Sequence, residues 1–426
     1  MVDTFYNTRA SRIVALVVCI PLFTNFFGAA FNFFGISTTI STLIIYGIVF
    51  AYEFFCFFKL SSSIFIKYIA LLFSISLFFL LNYCLSTNSQ VYFRANITEL
   101  LVSLLIYLPA AIYLTKITDH QLFFNALLKI SFITPIAGLL AIFSFKVETL
   151  MNYMVFSAMM LPGTLASCYF LVFTEMKKVR RIGLIISLIV DVYILLIFGG
   201  RAAFLAVIVY LVLLWYRKIN AFSSKKRLAI TILLLIGLFV LVVGRDLVLS
   251  VLSNVLSPFR SSSRIVDTIV AGKFFQSNEV GGRSQIYSYA FDGLKHMGFS
   301  INGLFGDRIV LLKYMASSTY KTNYVHNVFL EILLSFGWVF GILIIGFLII
   351  RIIKRILMKS DETTFHFATY FFCLIFVRLL VSGSFLVEGV SLLFFASLTS
   401  SIKPNKLSLC YNKQEMYYHK KEEEQQ

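Results

Sequence analysis

Apolar residues run in long blocks along this chain, and polar residues are concentrated in the links between them. Crossing a bilayer takes about 20 apolar residues in a helix. Blocks of that kind begin near Ile13, Ile36, Ile64, Ile97, Leu122, Leu150, Ile182, Ala202, Leu228, Asn327, Phe365 and Phe385. The pattern predicts an all-α polytopic integral membrane protein with about 12 transmembrane helices. Two links are very short: Gly199-Gly200-Arg201 divides the run from Ile182 to Tyr216, and Ser382-Gly383-Ser384 divides the last pair. Each reads as a tight outer turn.

From about Gly244 to Val325 the composition shifts to Ser, Asn, Gly, Tyr and mixed charge. Loops of this length without structure of their own are usually functional or disordered. Apolar residues at helical spacing in Ile286 to Leu294 and Ile309 to Tyr314 predict interfacial helices. The expected organisation is therefore transmembrane helices 1 to 9 over residues 1–243, one large extracytoplasmic loop over 244–325, helices 10 to 12 over 326–402, and a disordered tail over 403–426.

The net charge of +17 raises the question of a nucleic-acid partner, and its distribution answers it. Basic residues gather in short links, as in Lys177, Lys178, Arg180 and Arg181, and again from Arg217 to Arg227. That is the positive-inside bias of a membrane protein, and it excludes a nucleic-acid function. Threading the chain with Arg9 and Arg12 inside puts both termini in the cytoplasm. The 59% hydrophobic content and mean hydropathy of +0.88 exclude a soluble domain with a polar shell. Six scattered cysteines without a CxxC pair form neither a disulfide framework nor a metal site.

Polar groups in or beside spans are costly unless paired or functional. Here they collect on the predicted outer side. Arg201 opens a helix after two glycines, Arg260, Arg264 and Arg283 lie on the long loop, and His326, Asn327 and Glu331 open the tenth span. Arg378 and Glu388 lie near the outer ends of the last two spans, where a helix-pairing ion pair is the default reading. Arginine suits phosphate because its planar fork donates two parallel hydrogen bonds and stays charged. Taken alone, Arg201 fits a cap on an outer turn equally well. An interfacial histidine is more often a hydrogen-bonded anchor than a base, although His326 at a helix start can accept a hydroxyl proton near neutral pH. Asp191, midway along the seventh apolar run, reads as a structural hydrogen-bond partner.

The stretch from His326-Asn327 through Glu331 to Gly337 and Gly341 resembles the histidine signature of the O-antigen polymerase and O-antigen ligase superfamily. Gly282-Arg283 followed by Gly303-Leu304-Phe305-Gly306 is similar to that family's outer-loop pattern. Gly199-Gly200-Arg201-Ala202-Ala203 is similar to its helix-opening arginine turn. The resemblance runs from about Ile182 to Leu398. It departs from the family at Gly293, one residue short of the spacing seen in some polymerases, and at Gly303, which lacks a preceding proline.

The resemblance implies a GT-C-like helical bundle in a bacterial cytoplasmic membrane. Its activity would be a polysaccharide polymerase that joins undecaprenyl-diphosphate-linked oligosaccharides at the outer face. It implies His326 as base, with Arg201 and Arg283 on the diphosphate and Asn327, Glu331 and Arg378 as further substrate contacts; Arg260 and Arg264, spaced to share one helical face, are candidate contacts that fit a solvated loop as well. Neither a cofactor nor a metal is expected, because no His/Asp/Glu cluster at ligand spacing stands on the outer face. Partners are the lipid-linked oligosaccharide, membrane lipid and a chain-length regulator protein. Two alternatives stay open: a ligase handing the glycan to lipid A-core, and a flippase for lipid-linked repeats.

Overall fold

The computed structural model describes residues 2–60, 62–144, 153–198, 201–220, 283–297, 300–314, 324–358 and 361–399. Among them every regular element is helical. The first half comprises α1 (Val2–Val18), α2 (Ile20–Phe33), α3 (Thr38–Leu60), α4 (Ser62–Leu85), the short α5 (Gln90–Ala95) and α6 (Ile97–Val102), which continues through a π turn (Ser103–Tyr107) into α7 (Leu108–Leu114). Then come α8 (His120–Ser144), α9 (Tyr153–Phe173), α10 (Lys178–Phe198) and α11 (Arg201–Asn220). The last part holds α12 (Arg283–Met297), α13 (Gly306–Tyr314), α14 (Val328–Ile352), α15 (Glu362–Phe371), α16 (Val377–Leu379) and α17 (Ser391–Thr399).

Seven described helices are long and apolar enough to cross a membrane, and an eighth candidate is the α1 and α2 pair, bent by 53°. The bend falls where Pro21 enters the first turn of α2, since proline brings no N–H to continue the ladder of α1. The chain is thus a multi-pass membrane protein. Of the twelve expected spans, the one starting near Leu228 lies outside the described residues. The apolar run expected from Phe385 differs in form: residues 382–390 are non-helical and α17 begins only at Ser391. Its cause is local, because Gly383 takes a left-handed φ of 96° and the Phe385 N–H is bound by a side chain instead of a helical carbonyl. The helices expected in the loop, Ile286 to Leu294 and Ile309 to Tyr314, are present as α12 and α13.

Burial separates two kinds of surface. Leu43, Ile48, Phe55, Ile66, Phe73 and Leu80 on α3 and α4 are exposed, as are Val339, Phe340, Leu343 and Phe347 on α14. A soluble protein rarely shows such apolar faces, whereas lipid accepts them without cost. Inside, aromatic rings dominate: Phe123 and Phe124 of α8, Tyr169 of α9, and Phe367, Tyr370 and Phe371 of α15 form one buried cluster. Phe124 and Tyr169 stack at 3.7 Å between ring centroids. Aromatic pairs add about 0.5–1.5 kcal/mol beyond area burial, which matters where lipid removes most of the hydrophobic drive between helices.

Candidate functional site

The site is built around the start of α14. Asn327 is extended (φ −151°, ψ 118°), and its Oδ1 accepts from the N–H groups of Phe329 (3.0 Å) and Leu330 (3.2 Å). That is the N-cap role for which asparagine is suited. Its Nδ2 meanwhile donates to the Leu380 carbonyl at 3.2 Å, so one side chain both starts α14 and ties it to the segment after α16. His326, immediately before the cap, sits in the left-handed region at φ 56°. A non-glycine residue there costs of order 1–3 kcal/mol and persists only when its surroundings hold it.

Asp307, a residue of α13, is one of those surroundings. Its Oδ2 accepts from the Val325 N–H at 3.3 Å, fixing the residue before His326. Asp307 is fully buried, and burial pushes its carboxyl up to about 6, against the opposing pull of Arg308. Arg308 is itself only 7% exposed, with its guanidinium over the Phe305 ring at 4.8 Å. The turn that positions both is Gly303-Leu304-Phe305-Gly306. The Gly303 N–H donates to the Ser335 carbonyl of α14 at 2.9 Å, and the Leu304 N–H donates to Asn82 of α4 at 3.2 Å. A Cβ on Gly306 would stand 2.6 Å from the Leu334 carbonyl, so only glycine lets α13 press this closely on α14. Gly337 is matched to the same contact, with φ 76° and a virtual Cβ 2.6 Å from the Ser300 carbonyl.

On the other flank, Glu331 of α14 is 2% exposed. One oxygen accepts from the Ser384 hydroxyl and the other from the Phe385 N–H at 3.1 Å. Nearby, Arg378 pairs with Glu388 at 3.4 Å. Three segments remote in sequence, 303–307, 324–331 and 378–388, therefore meet at one end of the bundle.

The residues singled out from sequence are distributed as follows. His326, Asn327, Glu331 and Arg378 lie in this assembly. Arg201 is the first residue of α11, which packs against α16 and the π turn before it (Phe372–Phe376), and Arg283 is the first residue of α12. Ile286, one turn after Arg283, shares a buried cluster with Val325 and Leu330. Arg260 and Arg264 lie outside the described residues. Asp191 is buried and accepts from the Thr164 hydroxyl of α9 at 3.1 Å, a helix-pairing hydrogen bond. Sequence reasoning passed over Asp307, Arg308 and Ser384. The signal for the first two was a charged pair directly behind a glycine-bounded turn.

An all-helical multi-pass protein with a clamped histidine at one helix mouth defines the class. Residues 184–346 match the family model described as O-antigen ligase, a segment that starts within α10 and ends within α14. The match covers well under half of the 426 residues, so what it carries is a likeness to that family over this segment. No curated protein matches the chain.

Proposed function

We propose that this chain is a polysaccharide polymerase that joins undecaprenyl-diphosphate-linked repeat units at the outer face of a bacterial cytoplasmic membrane. The observation that carries the reading is the clamp on His326: a left-handed backbone held between Asp307, through Val325, and the Asn327 cap. Strain maintained by this much surrounding structure is characteristic of working residues.

In the proposed reaction, His326 takes the proton of an acceptor sugar hydroxyl as its oxygen attacks the anomeric carbon of the donor glycan. The bond from that carbon to the diphosphate oxygen breaks, so the configuration inverts. Arg201 and Arg283 bind the departing diphosphate, whose charge calls for planar, permanently charged donors. Buried Arg308 and the Arg378–Glu388 ion pair border the same end.

A second reading, a ligase transferring the glycan to lipid A-core, draws on the description of the matched family. Purified chain incubated with a synthetic repeat unit on undecaprenyl diphosphate, with and without chelator, separates them. A polymer ladder from the repeat unit alone is expected, and transfer only when lipid A-core is added would replace the polymerase reading with the ligase one. In cells, loss of the polymerase leaves single repeats on core, whereas loss of a ligase leaves core bare.

A further inference from the structure

A second histidine cluster lies at the far end of the same helices. α14, kinked at Gly337, leads 25 residues away from the His326 mouth, and α15 then starts back toward Leu380. Glu362 and His366 thus stand on the first turns of α15, four residues apart on one face. His120, the first residue of α8, faces them: the imidazole centroids of His120 and His366 are 4.7 Å apart.

Both rings are buried, His120 at 5% exposure and His366 at 0%. His120 Nδ1 lies 3.1 Å from the Thr363 hydroxyl, which orients the ring. Its Nε2 and the Nδ1 of His366 have no hydrogen-bond partner, and the Nε2 of His366 has only the longer contact to Glu362. The rings around His366 are Phe124, Tyr169, Phe173 and Phe365, a setting where packing alone would be served as well by another phenylalanine. Glu362 is 61% exposed and places a carboxylate oxygen 3.6 Å from His366 Nε2. One ligand atom from each of the three residues falls within 4.8 Å of the others.

We propose that His120, Glu362 and His366 bind a divalent transition-metal ion of the zinc class. Two imidazoles and one carboxylate suit zinc, whereas magnesium and calcium need mainly oxygen donors. Zinc bonds of about 2.0–2.2 Å set tetrahedral ligand atoms about 3.4 Å apart. The present spacing, within 4.8 Å, is looser than that value, so binding would draw the three side chains together. Thr363, accepting from His120 Nδ1–H, leaves Nε2 with its lone pair for the ion, the outer-shell arrangement usual for ligating histidines. The fourth position opens on the exposed side of Glu362 and takes water. The charged neighbours are Arg217, whose guanidinium stacks on Phe365 at 5.1 Å and acts on both Glu362 and His366, and the acidic Asp119. A bound ion pins the first turn of α8 to the first turn of α15, holding the aromatic core closed at this end.

The test uses the full chain purified in detergent on an affinity tag free of histidine and stripped with chelator. Cobalt(II) is the spectroscopic probe, and zinc is the competitor. One equivalent of cobalt with visible ligand-field bands, displaced by zinc, is expected, together with a higher Tm in zinc than in chelator. His366→Gln and His120→Gln should weaken zinc binding by about 100-fold or more, and Glu362→Gln by about tenfold. His296→Gln, on the surface of α12, should leave it unchanged. Should a histidine variant fail to fold, the wild-type Tm and Glu362→Gln still decide. Wild-type binding no stronger than that of Glu362→Gln, or a Tm indifferent to zinc, overturns the proposal.

Discussion

The two ends of α14 and α15 each carry histidine among buried polar groups, yet they are built in opposite ways. At the His326 end, Asn327, Glu331 and Asp307 have hydrogen-bond partners, most of them backbone groups of another segment. At the His120 and His366 end, imidazole nitrogens face aromatic rings. The difference separates two uses of polarity inside a membrane protein. Where the chain supplies the partners, it fixes a backbone geometry, here a strained one. At the other end, side chains meet side chains, His120 with Thr363 and His366 with Glu362, and ring packing supplies the cohesion.

The strongest way to break this comparison is to remove each histidine. His326→Ala should lower chain extension by about 100-fold or more, with membrane insertion and Tm retained. The polysaccharide ladder and the membrane fraction report this, and a wild-type ladder would remove His326 as base. His366→Ala should do the reverse in kind, destabilising the fold by about 2–4 kcal/mol through a cavity among Phe124, Tyr169 and Phe173. Its check is the thermal midpoint in detergent.

Glu331→Ala sharpens the contrast at lower amplitude. It leaves the Ser384 hydroxyl and the Phe385 N–H without their acceptor, a cost of about 1–3 kcal/mol for a buried group. The same substitution should slow turnover, because segment 378–388 is held by that carboxylate. An unchanged Tm would show that this segment is held otherwise.

Asp307 gives the mildest effect, read against pH. Its folded-state value is raised from 3.8 to about 6, so the folded chain holds the proton more tightly than the unfolded one. The resulting stabilisation is fully present below about pH 4 and is lost as pH rises through 6. Asp307→Asn should flatten that part of the profile, measured as wild-type minus variant stability between pH 4 and 8. A difference that grows with pH would contradict the burial of this carboxylate.

Much of the architecture was legible in the apolar blocks, since backbone groups in lipid must be satisfied within helices and length then fixes a span. The starts at Ile64, Ile97 and Ala202 coincide with span boundaries in the structure, and the Asn327 start falls on the cap itself. The Phe385 run was not legible, because Gly383 and the Glu331 contact break it from outside the local pattern. His326, Asn327 and Glu331 could be singled out because polar residues at a span mouth stand against an apolar background. Asp307 and Arg308 stood out less, because on a polar loop only their place behind the Gly303–Gly306 turn sets them apart.

Local composition by itself decided that this chain is a bundle of membrane helices with one polar mouth, because hydropathy and turn chemistry act over a few residues. Only the tertiary structure decided that segments 303–307 and 378–388 close on His326 from two sides, and that His120 meets Thr363, 243 positions further on, and with it Glu362 and His366. Such meetings depend on close approach at Gly306, Gly337 and Gly383 and on packing between distant helices, and no periodicity along the chain encodes them.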